Sequence, residues 1–291
     1  MTICVAVKVS EGLVLAADSA AAIEGWIGER TGPPGILKTY EHVRKLSHIK
    51  DYPIGTLTWG VALIGARSVD SLIKEYEHGL PSSFEEQEKA KERQRGNDST
   101  PANRDAYSVH EIADGLLKHI RRFYDNEFAA EPESQRPPLG ILVSGYSSGK
   151  FFPEMWKIEL PVSVALEEIR PDKNGKPDFG AHWYGLADAI VRLHWGRDDK
   201  AIDILAERFK TDPKEIREVL DVLQYPIVFN GMPLQDAIDY AVYLVNLVIG
   251  RFRFVAGAPL CGGEADVAVI TPDKFTWIHR KLWDVRQGPT S

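Results

Sequence analysis

Three times along this chain, two short apolar runs flank a compact turn. Residues 3–9 and 13–17 surround Ser10-Glu11-Gly12, residues 139–145 and 151–158 surround Ser147-Ser148-Gly149, and residues 266–270 and 275–279 surround Thr271-Pro272-Asp273. Apolar runs of strand length separated by turn residues are β-hairpins. A hairpin forces antiparallel pairing, so a chain that repeats the pattern is committed to antiparallel sheets. A fourth pair, 43–49 and 55–57, brackets Asp51-Tyr52-Pro53, and residues 180–185 read as a further strand.

Helical periods fall between these blocks rather than alternating with single strands. They cover 61–77, 107–127 (with Ile112, Leu116, Leu117, Ile120 and Phe123 on one face), 186–195, 200–209, 213–223 and 236–249. Thr211 or Asp212 serves as N-cap before Pro213, which fits the first helical turn. Strand blocks followed by helix blocks predict an α+β layered fold. The Gly- and Pro-rich stretch 25–35 reads as a loop. Residues 81–106 are polar and charged and read as an exposed, mobile insertion.

Charge narrows the function classes. Lys+Arg total 35 against 42 Asp+Glu, a net charge of -7, which opposes general nucleic-acid binding. The longest apolar helical run, 237–249, is too short for a bilayer and carries Asp239 and Asn246. The apolar N-terminus lacks a basic leader and is interrupted by Lys8, Glu11 and Asp18, so it does not read as a secretory signal. Two cysteines cannot frame a disulfide scaffold, and the chain reads as cytoplasmic.

Several motifs fail on spacing. Residues 145–150 (GYSSGK) have three residues where a phosphate loop needs four, and Phe151 stands where Ser or Thr belongs. The eight histidines form no HExxH pair, and neither cysteine has metal-ligand spacing, so no metal and no cofactor are expected.

The chemistry is concentrated at the N-terminus. Removal of Met1 would leave Thr2 with a free α-amine, whose ordinary pKa is about 7.7–8.0. Such an amine can take the proton from its own hydroxyl, activating a weak alcohol nucleophile without a histidine.

The surrounding residues resemble the β-type subunits of the proteasome and their bacterial relatives, N-terminal nucleophile hydrolases. Residues 2–9 (TICVAVKV) and 11–19 (EGLVLAADS) are similar to that family's first hairpin, ending in an Asp-Ser pair at the family's spacing. Residues 43–46 (VRKL) match its lysine motif, and 55–60 (GTLTWG) resemble the strand that ends at its oxyanion glycine. The similarity continues through 139–145, 236–249, Gly262-Gly263 and 266–270. It covers most of the chain, read as one domain over 1–291 with insertions near 25–40, 81–106 and 197–232.

The resemblance implies a four-layer αββα sandwich of two stacked antiparallel sheets. It implies a threonine peptidase with Thr2 as nucleophile, Lys45 as the neighbouring cation and Asp18 as the lysine's partner. Gly60 would supply the oxyanion N–H, Ala21 and Leu57 would bind the substrate side chain preceding the cut, and Ser19 and Cys261 would support the site. A lysine beside Thr2 favours the neutral amine and the incipient alkoxide. The chain departs from the family at 184–188 (YGLAD), where a supporting serine is missing, and at 258–261 (APLC), where Cys261 stands in a serine's place and an aspartate is absent. The implied partners are a peptide or unfolded-protein substrate, a homo-oligomer (ring or helical stack) built through helices 107–127 and 61–77, and an ATPase unfoldase. The alternatives are a small-molecule amidase or acylase on the same fold, and a non-catalytic ring-forming subunit.

Overall fold

A computed structural model describes residues 2–25, 35–82, 106–162, 165–257 and 259–282. Met1, most of the expected insertion at 81–106 and the middle of that at 25–40 lie outside these residues.

The chain opens with β1 (Ile3–Val9) and β2 (Gly12–Ala17), whose residues are all buried. They pair from Cys4 opposite Ala17 to Val9 opposite Gly12. The odd-numbered side chains of β1 (Ile3, Val5, Val7) pack on a helix, while Cys4 and Ala6 face a second sheet. Burial on both faces explains why the strand is apolar throughout instead of alternating. β3 (Ala21–Gly25) and β4 (Gly35–Tyr40) form a separate two-stranded pair. These strands were not anticipated. Most of β4 is exposed, so it carries no apolar alternation to mark it.

β5 (Leu46–His48) is shorter than the expected 43–49, and β6 (Ile54–Gly60) is longer than 55–57. A small hairpin of β7 (Leu63–Ile64) and β8 (Arg67–Ser68) delays α1 (Val69–His78), which was expected from 61. The Ser68 hydroxyl accepts the Ser71 N–H at 3.0 Å and caps the helix. α2 (Val109–Glu127) starts the same way, with Ser108 accepting from the Glu111 N–H. There follow β9 (Leu139–Gly145), β10 (Glu154–Leu160), β11 (Glu167–Glu168) and β12 (Gly180–Gly185). Next come α3 (Asp188–Trp195), α4 (Asp199–Phe209), α5 (Pro213–Leu220, capped by Asp212) and α6 (Leu234–Phe254). β13 (Asp266–Ile270) and β14 (Phe275–His279) close the described chain.

Two five-stranded antiparallel sheets result, in the orders β12-β1-β2-β13-β14 and β11-β10-β9-β6-β5. Their facing sides share a core that includes Ala6, Leu13 and Leu15 from one sheet and Leu57, Leu142 and Met155 from the other. α6 covers the outside of the first sheet through Ala241, Leu244 and Val248. α1 and α2 cover the second through Leu72, Ile112, Leu116 and Ile120. The architecture is a four-layer αββα sandwich. Each fully buried Leu or Ile contributes roughly 1.5–3 kcal/mol, so the three apolar layers dominate its stability. Among the described residues no helix is long and apolar enough to cross a membrane.

Candidate functional site

Thr2 is 6 % exposed and enters β1 with its peptide plane fixed from both sides. The Leu186 N–H donates to the Thr2 carbonyl at 2.7 Å. On the next peptide atom, the Ile3 N–H donates to Asp18 Oδ1 at 2.9 Å. The first contact depends on Gly185, at φ +86°, where a Cβ would lie 2.0 Å from the Thr2 carbonyl oxygen. Only glycine allows that approach at that backbone angle. The pairing of β1 with β12, Ile3 opposite Gly185, puts the two ends together.

Asp18 follows β2, which brings it back beside Ile3; its own N–H donates to the Ile3 carbonyl at 3.1 Å. Its carboxylate accepts Lys45 Nζ at 2.7 Å, and Oδ2 accepts the Ala20 and Gly262 N–H groups at 3.2 Å each. Asp18 and Lys45 are 1 % and 4 % exposed. A charge-assisted bond this short and this dry holds the ammonium in one geometry. The Lys45 carbonyl accepts the Thr58 N–H at 2.8 Å, so β6 fixes the lysine's backbone as well.

Two thiols flank the pair. Burial, with the Asp18 charge and a hydrogen bond to Asp18 adding to it, pushes the Cys261 thiol far up from its ordinary value. Burial does the same to Cys4, more strongly than the Lys45 charge pulls it down. Burial therefore favours the neutral thiol at both positions.

Thr2 and Lys45 open on one cleft of about 750 Å³, lined also by Ala21, Thr58, Gly60 and Pro138. Gly60 has φ +90°, and a Cβ there would lie 2.2 Å from the Pro138 carbonyl oxygen, so β6 can make its last turn into the cleft only through glycine. Ala21, expected to bind the substrate side chain, is on the cleft lining, and Leu57 is not. Leu57 lies opposite Leu46 and Leu142 and is fully buried between the sheets, because its parity along β6 turns it toward the first sheet. Ser19 is tied to the Glu41 and Glu264 carbonyls, both 2.9 Å from its hydroxyl, and Cys261 reaches Asp18.

The arrangement places Thr2 and the Asp18-bound Lys45 on the lining of one open cleft. The Leu186 N–H on Thr2, and His42, Arg44 and Asp70 around the cleft, were not foreseen. Gly185 was visible as a strand end, but nothing local marks it as the residue that meets Thr2.

No protein-family model matches the chain, and no curated protein matches it. Among solved structures it is similar to an Anbu (Gly-1) mutant from Hyphomicrobium sp. strain MC1, with a TM-score of 0.54 and 15% identity over 97% of this chain and 86% of that one. A second similar structure is Anbu (ancestral beta-subunit) from Yersinia bercovieri, with a TM-score of 0.48 and 15% identity over 95% of this chain and 86% of that one. The first likeness shows the fold. It also corrects the family expected from sequence: the neighbours are Anbu, proteasome-like but distinct from the β-type subunits named above, and at this identity they do not carry the nucleophile-hydrolase assignment.

Proposed function

We propose that this chain is a threonine-type amide hydrolase acting on peptides, with Thr2 as nucleophile once Met1 is removed. The observation that supports it is the joint fixing of Thr2 and Lys45. One buried carboxylate, Asp18, holds both the Lys45 ammonium and the amide that follows Thr2, and both residues face the same cleft.

In this reading Thr2 Oγ attacks the amide carbonyl while its proton passes to the Thr2 α-amine. The Lys45 charge holds down the amine's pKa and favours the developing alkoxide. The oxyanion forms beside Gly60, where a backbone N–H would stabilise it. Collapse breaks the C–N bond, and the α-ammonium returns its proton to the departing amine. Water, deprotonated by the same amine, then cleaves the Thr2 ester. We extend the proposal to a homo-oligomer, closed or helical, that secludes the cleft from folded cytoplasmic proteins.

The experiment combines intact-mass analysis, a peptide epoxyketone and two variants. The expected result is loss of Met1, labelling at Thr2, no peptide hydrolysis by Thr2→Ala and residual hydrolysis by Thr2→Ser. Retained Met1, or a Thr2→Ala variant as active as wild type, refutes the mechanism. Cleavage confined to small acyl amides, together with a monomer by light scattering, replaces the peptidase with a small-molecule amidase.

A further inference from the structure

Two glycines shape the site, and they belong to different sheets. Gly185 ends β12 in the first sheet and meets the Thr2 carbonyl, while Gly60 ends β6 in the second and lines the cleft with Thr2. Hydrogen bonds within a sheet do not set its distance from the next one; the side chains packed between the sheets do. Each glycine directly follows an aromatic residue, Tyr184 in β12 and Trp59 in β6. The two rings stack on each other, with centroids 4.0 Å apart and planes 11° from parallel.

Strand parity brings the rings together. Trp59 shares the face of Leu57 along β6, and Tyr184 lies opposite Cys4 in the pairing of β12 with β1, so both point into the space between the sheets. Trp59 is opposite Gly140 of β9, where a Cβ would lie 1.9 Å from the indole. The indole occupies the room that the missing side chain leaves, and a larger residue at 140 would push it aside. The Cys4 thiol adds a second link between the sheets at this end, donating to the Thr58 carbonyl at 3.4 Å. Tyr184 is buried and is not part of the cleft lining. Its hydroxyl has no hydrogen-bond partner among the described residues, so its ring makes the contact.

We propose that Trp59 and Tyr184 are positioning residues: their stack clamps the end of β6 to the end of β12 and so sets the distance between Thr2 and the Gly60 turn beside which the oxyanion forms. The inference rests on the reading of Thr2 and Gly60 given above. Stacked aromatic rings are rigid bodies in direct contact, so a shift of one strand end is resisted by the other. With one ring replaced by a smaller side chain, each sheet keeps its own hydrogen bonds, but the two strand ends lose their common reference. A misplacement of about 1 Å between reacting groups costs roughly 100-fold in rate. Tyr184 touches none of the cleft, so its loss falls on kcat rather than on KM.

The test uses the full chain with Tyr184→Leu, which removes the ring, and Tyr184→Phe, which keeps it. Gly140→Ala displaces the indole without altering either ring, and it carries the same expectation if Tyr184→Leu does not fold. Peptide hydrolysis and amide hydrogen exchange are measured side by side. Tyr184→Leu is expected to lower kcat roughly 10–100-fold with KM within about twofold, and Tyr184→Phe to keep at least about half of the wild-type kcat. Gly140→Ala added to Tyr184→Leu should cost little more, because both act through one contact. Exchange should rise roughly tenfold in Tyr184→Leu at Leu186, which holds the Thr2 carbonyl, and at Val61, whose N–H donates to the Pro138 carbonyl, while α6 stays protected. Unchanged kcat in Tyr184→Leu overturns the proposal, and so does an equal loss in Tyr184→Phe. A loss that comes with faster exchange throughout α6 is general destabilisation and overturns it too. If Thr2→Ala is as active as wild type, the reading of Thr2 fails instead, and exchange at Leu186 and Val61 alone then decides whether the stack clamps the two strand ends.

Discussion

Asp18→Asn keeps the shape of the side chain and removes its charge. In the native fold the Asp18 carboxylate takes three backbone N–H donors and the Lys45 ammonium. An amide has one acceptor oxygen, so its NH₂ must face at least one of those donors, and the buried ammonium loses its counter-charge. Breaking a buried ion pair from one side costs about 3–5 kcal/mol. With an m-value of about 3 kcal/mol per molar in urea, the unfolding midpoint should fall by roughly 1–1.7 M. Lys45→Met is milder, about 1–2 kcal/mol, because Asp18 keeps its three N–H donors. The double variant should be more stable than the sum of the two predicts, with coupling of at least about 1 kcal/mol. Urea unfolding followed by tryptophan fluorescence reads all four proteins, and peptide hydrolysis should fall at least about 100-fold in each single variant. An Asp18→Asn protein that unfolds at the wild-type midpoint, or strictly additive losses, would show that the pair does not bear on the fold as described.

Gly185→Ala should displace Thr2, since the new Cβ would lie 2.0 Å from its carbonyl oxygen. Activity is expected to drop more than about tenfold beyond the roughly 1–3 kcal/mol of backbone strain. Gly149→Ala, at φ +74° with no neighbour within 4 Å, is the control for strain alone, and equal activity of the two variants would contradict the contact. His194 is 7 % exposed, with Nε2 3.1 Å from the Tyr240 hydroxyl, and burial lowers its pKa from 6.5. The unfolded chain therefore takes up its proton first, so the stability from the neutral ring is complete above about pH 6.5 and drains as the pH falls below it. Melting temperatures at pH 7.5 and 5.5 should differ less for His194→Gln than for wild type; an identical slope would remove His194 from the acid sensitivity.

Local chemistry was sufficient for some of the elements that carry their own turn or cap. The bounds of β12, β13 and β14 follow directly from their apolar runs and turn residues, and Asp212 caps α5 ahead of Pro213 as its side chain requires. Segregated hairpins and helical periods likewise specified the layered α+β class, because pairing geometry and amphipathicity are properties of neighbouring residues. A mostly exposed strand such as β4 has no such signature, and the β3–β4 pair is not legible in the sequence. Leu57 shows the sharper limit. Its residue type suits a specificity pocket, yet strand parity and the packing of two sheets turned it into the core. The Asp18–Lys45 pair could be named through the resemblance, but its enclosure could not. The N–H from Leu186, the close approach of Gly185 and the stacking of Tyr184 on Trp59 join residues from opposite halves of the chain. Such contacts exist only when tertiary packing has brought separate segments to one place, and no periodicity or spacing along the chain encodes which segments those will be.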